Sequence, residues 1–434
     1  MMHVTRRDWL RAAGALAVTT GWRAGAGRQG APGRALAPTG DFAALGRPAG
    51  TRALVYLDSA ATTLRPAPVI DAISDFDRYD NANPSPSMHA LARRAAARYS
   101  EARSTVARFI NAAPTEIVWT RGTTEAINLA AATWGSTLRP GDEIVVSIAE
   151  HYSNLLPWRA VARRTGAIVR TFDVDEAGRF NLDDLRRQLS GRTRLVAVTH
   201  VSNVLGLVNP VADVAAIAHR AGAVVLVDGA QSVPHTAIDV KALGCDFFAF
   251  SSHKLFGPMG VGVLWMKPSL LESLPPYQTG SNMAHNVDAT SEELEHGPQK
   301  FQAGTPNVSG PVGLAAAVRY LDALGGSAIA AHDLTLVRHG LDRLRSIKGL
   351  RLLGPVDERL RVPVFSFTIA GQRVPDIVAT LDREGIAIRG GDLAALPLLR
   401  RIAGIDAAAR ASAYLYNTTD DLDRLADVLK SLAR

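Results

Sequence analysis

One cysteine, Cys245, stands in 434 residues, which excludes an intramolecular disulfide and any thiolate metal cluster. It lies in LGCDFFAFSS, at the start of an apolar run, where a free thiol serves as a small core hydrophobe. No apolar run approaches the length of a membrane-spanning helix, so no membrane span is expected. Charged residues make up 21% and hydrophobic residues 47%, the balance of a globular chain long enough for two domains. The body also lacks an excess of one charge sign. The net charge is +7, but in residues 1–37 six arginines against Asp8 give a net +5, which leaves +2 for the other 397 residues. An electrostatic nucleic-acid footprint is therefore unsupported.

The basic front has an order of its own. TRRDWLR (Thr5 to Arg11) precedes the mildly apolar AAGALAV and a Gly, Ala and Arg-rich stretch ending at Ala35-Leu36-Ala37. This resembles a twin-arginine export signal, which implies a periplasmic or otherwise extracytoplasmic location. The segment is assigned to residues 1–37. Pro38 is a poor first residue after a cut at Ala37, and Ala24-Gly25-Ala26 offers an alternative site.

From Glu116 the chain alternates short β-branched runs with amphipathic stretches. EIVWT, EIVVSIA, AIVRTFDV, RLVAVTHV, AVVLVDGA, FFAFSS and VGVLWMK read as strands, mostly apolar throughout, as strands covered on both faces are. TEAINLAAATWG and PVADVAAIAHRAG read as helices, the second closed by Gly222. The pattern predicts an α/β protein with a large domain on a mostly parallel seven-stranded sheet. After Pro306 alanine-rich and amphipathic helices with short strands predict a smaller α+β domain. The expected divisions are 38–66 as an N-terminal segment packing with the small domain, 67–305 as the large domain and 306–434 as the small one.

Four segments could carry chemistry. In SSHKLFGP, Lys254 follows a buried strand; a desolvated amine there has a lowered pKa and can form a Schiff base, although a surface lysine in a turn fits equally. RGTTEAIN places glycine and two threonines at a helix start, where free N–H groups make a phosphate site or an ordinary cap. VLVDGAQS puts Asp228 and Gln231 at the end of a buried strand, where a carboxylate needs a cationic partner such as a protonated pyridine. In AEHYSN, His151 could stack on an aromatic ring.

Their order, together with VTHVSNVLG, YLDSAATT (Tyr56 to Thr63) and YNT (Tyr416 to Thr418), resembles the fold-type I pyridoxal-phosphate (PLP) enzymes of the class V aminotransferase group. Within it, the chain is most similar to the cysteine desulfurase and selenocysteine lyase family. The resemblance implies PLP as cofactor and an amino acid as substrate. It makes Lys254 the Schiff-base residue that also moves the Cα proton, with Asp228 on the pyridine nitrogen, His151 stacked on the ring and Gln231 on the phenolic oxygen. It assigns the phosphate to Thr123, Thr124, Ser251 and His253, helped by Thr305 from the second subunit of a homodimer. Asn203 would lie over the cofactor near the substrate, Arg410 would bind the α-carboxylate, and Arg389 would line the same end.

The same resemblance exposes departures. A gap-free placement of RGGDLAALP puts Ala394 where the family carries its sulfur-accepting cysteine, and Asp392 and Leu393 where two histidines precede it. In DNANPSPSMHALA, Ser85 and Pro86 stand where a histidine and an arginine are usual. Extracting sulfur from free cysteine needs a nucleophile to attack it. Substrates that lose their β-group without such attack remain feasible, as do transamination, epimerisation and β-elimination. The expected activity is a PLP enzyme acting on an amino acid or amino-acid moiety outside the cytoplasm. The alternatives are selenocysteine lyase, cysteine sulfinate desulfinase or desulfurase activity, and a non-catalytic PLP-binding scaffold.

Overall fold

The computed structural model describes residues 33–433. A short strand, β1 (Val55–Tyr56), precedes seven strands that form one sheet. These are β2 (Ile117–Thr120), β3 (Glu143–Ser147), β4 (Ile168–Phe172), β5 (Thr193–Thr199), β6 (Val224–Asp228), β7 (Phe247–Ser251) and β8 (Gly262–Met266). Each coincides with a run read as a strand. Their order is β2-β8-β7-β6-β5-β3-β4. Only β8 runs antiparallel to its two neighbours, and the remaining pairs are parallel.

The apolarity of the central strands has a direct cause. Ile144 and Val146 enter one buried cluster, with Ala197, Leu226 and Ala249, while Val145 enters another with Val196, Val225 and Phe248. Successive residues point to opposite faces and both faces of the central strands are covered, so those strands are largely apolar, whereas edge strand β4 carries Arg170 and Thr171 and is partly exposed. Cys245 is buried among these side chains.

After a surface hairpin of β9 (Ala284–His285) and β10 (Glu293–Leu294), the chain enters helices Ser309–Leu324 and Gly326–Arg345, bent by 80° across Gly325. The first packs on helices Ala67–Asp75 and Ala90–Phe109 of the large domain; the second packs on the small sheet and the final helix Thr419–Leu432. The change of partner therefore comes at Gly325, whereas the composition shifts near Pro306. No single helix among the described residues is long and apolar enough to cross a membrane.

The small domain is built on β11 (Leu350–Leu352), β12 (Val364–Ile369), β14 (Arg389–Gly391) and β15 (Ala408–Ser412), in the antiparallel order β11-β12-β15-β14. The remaining strand, β13 (Ile386–Ala387), pairs in parallel with β1. The N-terminal segment is thus joined through β1 to β13.

The arginine pair and Ala24-Gly25-Ala26 of the expected leader lie outside the described residues, but Leu36 and Ala37 at its expected end do not. Leu36 and Ala37 are buried, and their backbone N–H groups both donate to the Leu415 carbonyl at 2.9 and 2.8 Å. A leader boundary at Ala37 falls inside the folded chain.

Candidate active site

The parallel strands β3, β5, β6 and β7 end on the same edge of the sheet, and β2 points the same way, because β8 reverses direction twice relative to its neighbours. Loops leaving the carboxyl ends of such strands form the usual crevice of an open α/β sheet. The crevice here is a cavity of about 440 Å³, within the size range of small-molecule sites. It is lined from the large domain by Thr123, Thr124, His151, Ser153, Asn203 and Asp228, and beyond them by Gln231, Ser251, His253 and Lys254. The N-terminal segment adds Ala60 and Ala61, and the small domain closes it with Arg389, the Asp392–Ala394 loop and Arg410.

One end of the cavity is a cradle of donors. Strand β2 turns at Gly122, whose φ of 157° lies in the range that favours glycine, into helix Thr123–Thr133. The turn lies so close to β8 that a Cβ on Gly262 would meet the Gly122 Cα at 2.4 Å. Ser251 Oγ accepts from Thr123 N at 2.8 Å and bonds Thr123 Oγ1 at 2.7 Å; Thr124 Oγ1 bonds Ser153 Oγ at 2.8 Å. His253 contributes a buried Nδ1 with no hydrogen-bond partner, and burial first, then Lys254, lowers its pKa to about 4. Hydroxyls, helix N–H groups and an unpaired imidazole nitrogen suit a phosphate.

At the centre, one turn of 3-10 helix carries Lys254 beyond β7. Burial lowers its pKa to about 8; Asp228 opposes this and Arg410 adds to it. Asp228, 4% exposed at the end of β6, accepts from Ala230 N at 2.9 Å, and burial pushes its pKa up despite that bond and Lys254. A buried carboxylate so poorly compensated fits a cationic ring nitrogen. His151 Nδ1 accepts from Ser153 N at 3.0 Å. Burial, Lys254 and Arg410 hold its pKa down at about 4 against the pull of Asp392, so the ring is neutral. Gln231 Nε2 donates to the Ala60 carbonyl at 2.5 Å. These residues fit PLP: phosphate donors, a ring-nitrogen acceptor, a neutral flat ring and an amine share one cavity.

The far end is cationic. Arg389 and Arg410 are cross-strand partners on β14 and β15. Arg410 is 3% exposed, donates through Nη1 to the Asn203 carbonyl at 3.0 Å, and keeps its buried Nε without a partner. Burial lowers its pKa to about 10. Asn203 is turned toward the loop, with Nδ2 donating to the Leu393 carbonyl at 2.8 Å.

That loop forms the wall. Leu393 and Ala394 each have a φ of 53°, a left-handed conformation uncommon for residues with a Cβ. The Ala394 carbonyl accepts from Tyr152 N at 2.8 Å, and Tyr152 OH donates to Asp392 Oδ2 at 2.7 Å. Cys245 is not among the lining residues, and burial pushes its thiol pKa far up.

Eleven of the twelve site residues named from the sequence line this one cavity. The twelfth, Thr305, is exposed and does not line it within the single chain. Ser85 and Pro86 do not line it either. Sequence reasoning missed Asp58, Ser153 and Glu150. Glu150 is 1% exposed beneath His151, accepting from Ser147 Oγ, from Asn154 Nδ2 at 2.6 Å and from Thr199 N at 2.9 Å. It ties the ends of β3 and β5 together under the ring site. Its position beside His151 was the one available signal.

Comparison with known proteins matches residues 55–425 to the family model described as aminotransferase class-V. A probable cysteine desulfurase of Halalkalibacterium halodurans is 46% identical over 382 residues, spanning 87% of this chain and 92% of that protein. A cysteine desulfurase of Synechococcus elongatus is 44% identical over 394 residues, 90% of this chain but 62% of its own length. Among solved structures, the Escherichia coli cysteine desulfurase CsdA, in an S-sulfonic acid form, superposes with a TM-score of 0.80 at 40% identity. It covers 87% of this chain and 94% of its own. Apo cysteine desulfurase from Thermococcus onnurineus gives 0.83 at 35% identity, covering 88% and 94%.

Proposed function

We propose that this chain, which belongs to the class V aminotransferase family and is a PLP-dependent enzyme, acts on an α-amino acid or amino-acid moiety without a cysteine sulfur relay. The observation that carries the reading is a cavity joining Lys254, Asp228 and Arg410, beside a loop that presents Ala394 and no thiol. Thr123, Thr124, Ser251 and His253 would hold the phosphate, Asp228 the ring nitrogen, His151 one face of the ring and Gln231 the phenolic oxygen. The cofactor supplies, when bound, a sink for the charge that develops at the substrate Cα. Lys254 Nζ, neutral above about pH 8, can take the Cα proton and return it. Arg410, which lines the cavity, would pair its guanidinium with the α-carboxylate. Leu393 and Ala394 make the side-chain end small and apolar, and Tyr152 and Asp392 tie that wall to the large domain. Thr305, exposed here, is proposed to complete the phosphate site of a second subunit. Export through the twin-arginine leader would place this chemistry outside the cytoplasm.

A second reading is favoured by the names of the relatives, which are cysteine desulfurases. Under it the chain releases sulfur or selenium from a substrate, with any thiol supplied by a partner. One experiment separates the readings. PLP-loaded protein is incubated with cysteine, cysteine sulfinate, selenocysteine and glutamate while cofactor absorbance and products are followed. We expect spectral change with at least one amino acid, no persulfide from cysteine, and loss of turnover in Lys254→Ala. Ala394→Cys should make a persulfide detectable by mass spectrometry. Persulfide together with alanine from cysteine in the unaltered protein would sink the relay-free reading; PLP binding with no response to any amino acid would leave a scaffold.

A further inference from the structure

Two arginines directly opposite each other on neighbouring strands repel, and one of these is almost fully buried. Such a pair needs an anion. Asp58 supplies it from the N-terminal segment: Arg389 Nε lies 3.1 Å from both carboxylate oxygens and Nη2 2.8 Å from Oδ2, while Arg410 Nη2 reaches Oδ1 at 3.4 Å. The carboxylate is fixed by its backbone. Leu57 N donates to the Ala387 carbonyl at 2.9 Å, Ser412 N donates to the Leu57 carbonyl at 2.7 Å, and Asp58 bridges Ser412 in parallel.

The arrangement is unequal. Asp58 takes two donors of the half-exposed Arg389 at full strength, but touches buried Arg410 weakly and leaves its Nε bare. Within this trio, two cations and one anion leave a single positive charge, nearest Arg410, at the end of the cavity assigned to the substrate carboxylate. Resting on that assignment, we propose that Asp58 is a positioning and specificity residue that holds Arg389 back and sets the site to accept one monoanionic carboxylate.

Two consequences separate this from a purely structural role. Neutralising Asp58 should strengthen anion binding, whereas loss of a structural ion pair would disorder the arginines and weaken it. The gain should also be larger for a dianion, because two unpaired guanidiniums then face the cavity. The test titrates propionate and sulfate into PLP-loaded protein by calorimetry, with thermal unfolding as a check on fold. Asp58→Asn is expected to bind propionate roughly fivefold more tightly, with a larger gain for sulfate. In Arg389→Gln, Asp58 is released to turn wholly to Arg410, and propionate should bind more weakly than to the unaltered protein. Unchanged or weaker propionate binding in folded Asp58→Asn overturns the proposal. If that variant does not fold, unchanged binding in Arg389→Gln overturns it instead. Absence of propionate binding to the unaltered holoprotein would remove the carboxylate assignment itself, and this inference with it.

Discussion

Lys254 shows how much the environment of one residue decides. An exposed lysine amine is protonated at neutral pH, but here burial lowers its pKa to about 8, with Arg410 pushing the same way and Asp228 resisting. Only the neutral amine bonds to the cofactor, and its fraction grows with pH until the pKa is passed. The rate of PLP uptake by the cofactor-free protein should therefore rise with pH and level off above about 8, as stopped-flow absorbance can measure. A rate that climbs on toward the ordinary lysine value would show that the amine is not desolvated. The motif around Lys254 was legible because chemistry-bearing residues cluster there in sequence. Asp58 was not, because its partner Arg410 is 352 residues away and nothing local marks the pairing.

At the scale of elements, strand β8 carries no reacting group, yet it shapes the phosphate cradle. Its antiparallel pairing with β2 sets Gly262 opposite Thr120 and brings the Gly122 turn within contact. An added Cβ at Gly262 would collide with backbone, 2.4 Å from Gly122 Cα, and backbone cannot rotate away as a side chain can. Gly262→Ala should push the turn out of place at a cost of about 1–3 kcal/mol and weaken PLP on the order of tenfold, with helix content retained. Fluorescence titration of PLP would read this, and an unchanged Kd would show that the turn does not depend on that contact. The strands were legible element by element from their apolarity. The order β2-β8-β7-β6-β5-β3-β4 was not, since no single strand's sequence states its neighbour.

In the molecule as a whole, the N-terminal segment is a structural strap. Among the described residues it is held at Gly33, whose carbonyl accepts from Thr419 N, and at Leu36 and Ala37, which are bonded to Leu415; it pairs β1 with β13, sets Asp58 against Arg389 and Arg410, and adds Ala60 and Ala61 to the cavity wall. A chain beginning at Pro38 loses the buried Leu36 side chain, about 1.5–3 kcal/mol, and both hydrogen bonds to Leu415. It should unfold at a lower temperature than a chain beginning at Gly27, as scanning calorimetry can test; equal Tm values would mean that the strap begins later. By itself the sequence determined the fold class, the seven strands and eleven residues that the fold brings to one cavity, because periodicity and turn chemistry are local and the recognisable motifs are contiguous. The tertiary structure alone decided that the packing partners of the helices change at Gly325, that Leu36 and Ala37 belong to the fold, and that Asp58 sits between two arginines. Those facts depend on which surfaces meet across hundreds of residues, where burial and charge pairing are settled only once the chain has closed on itself.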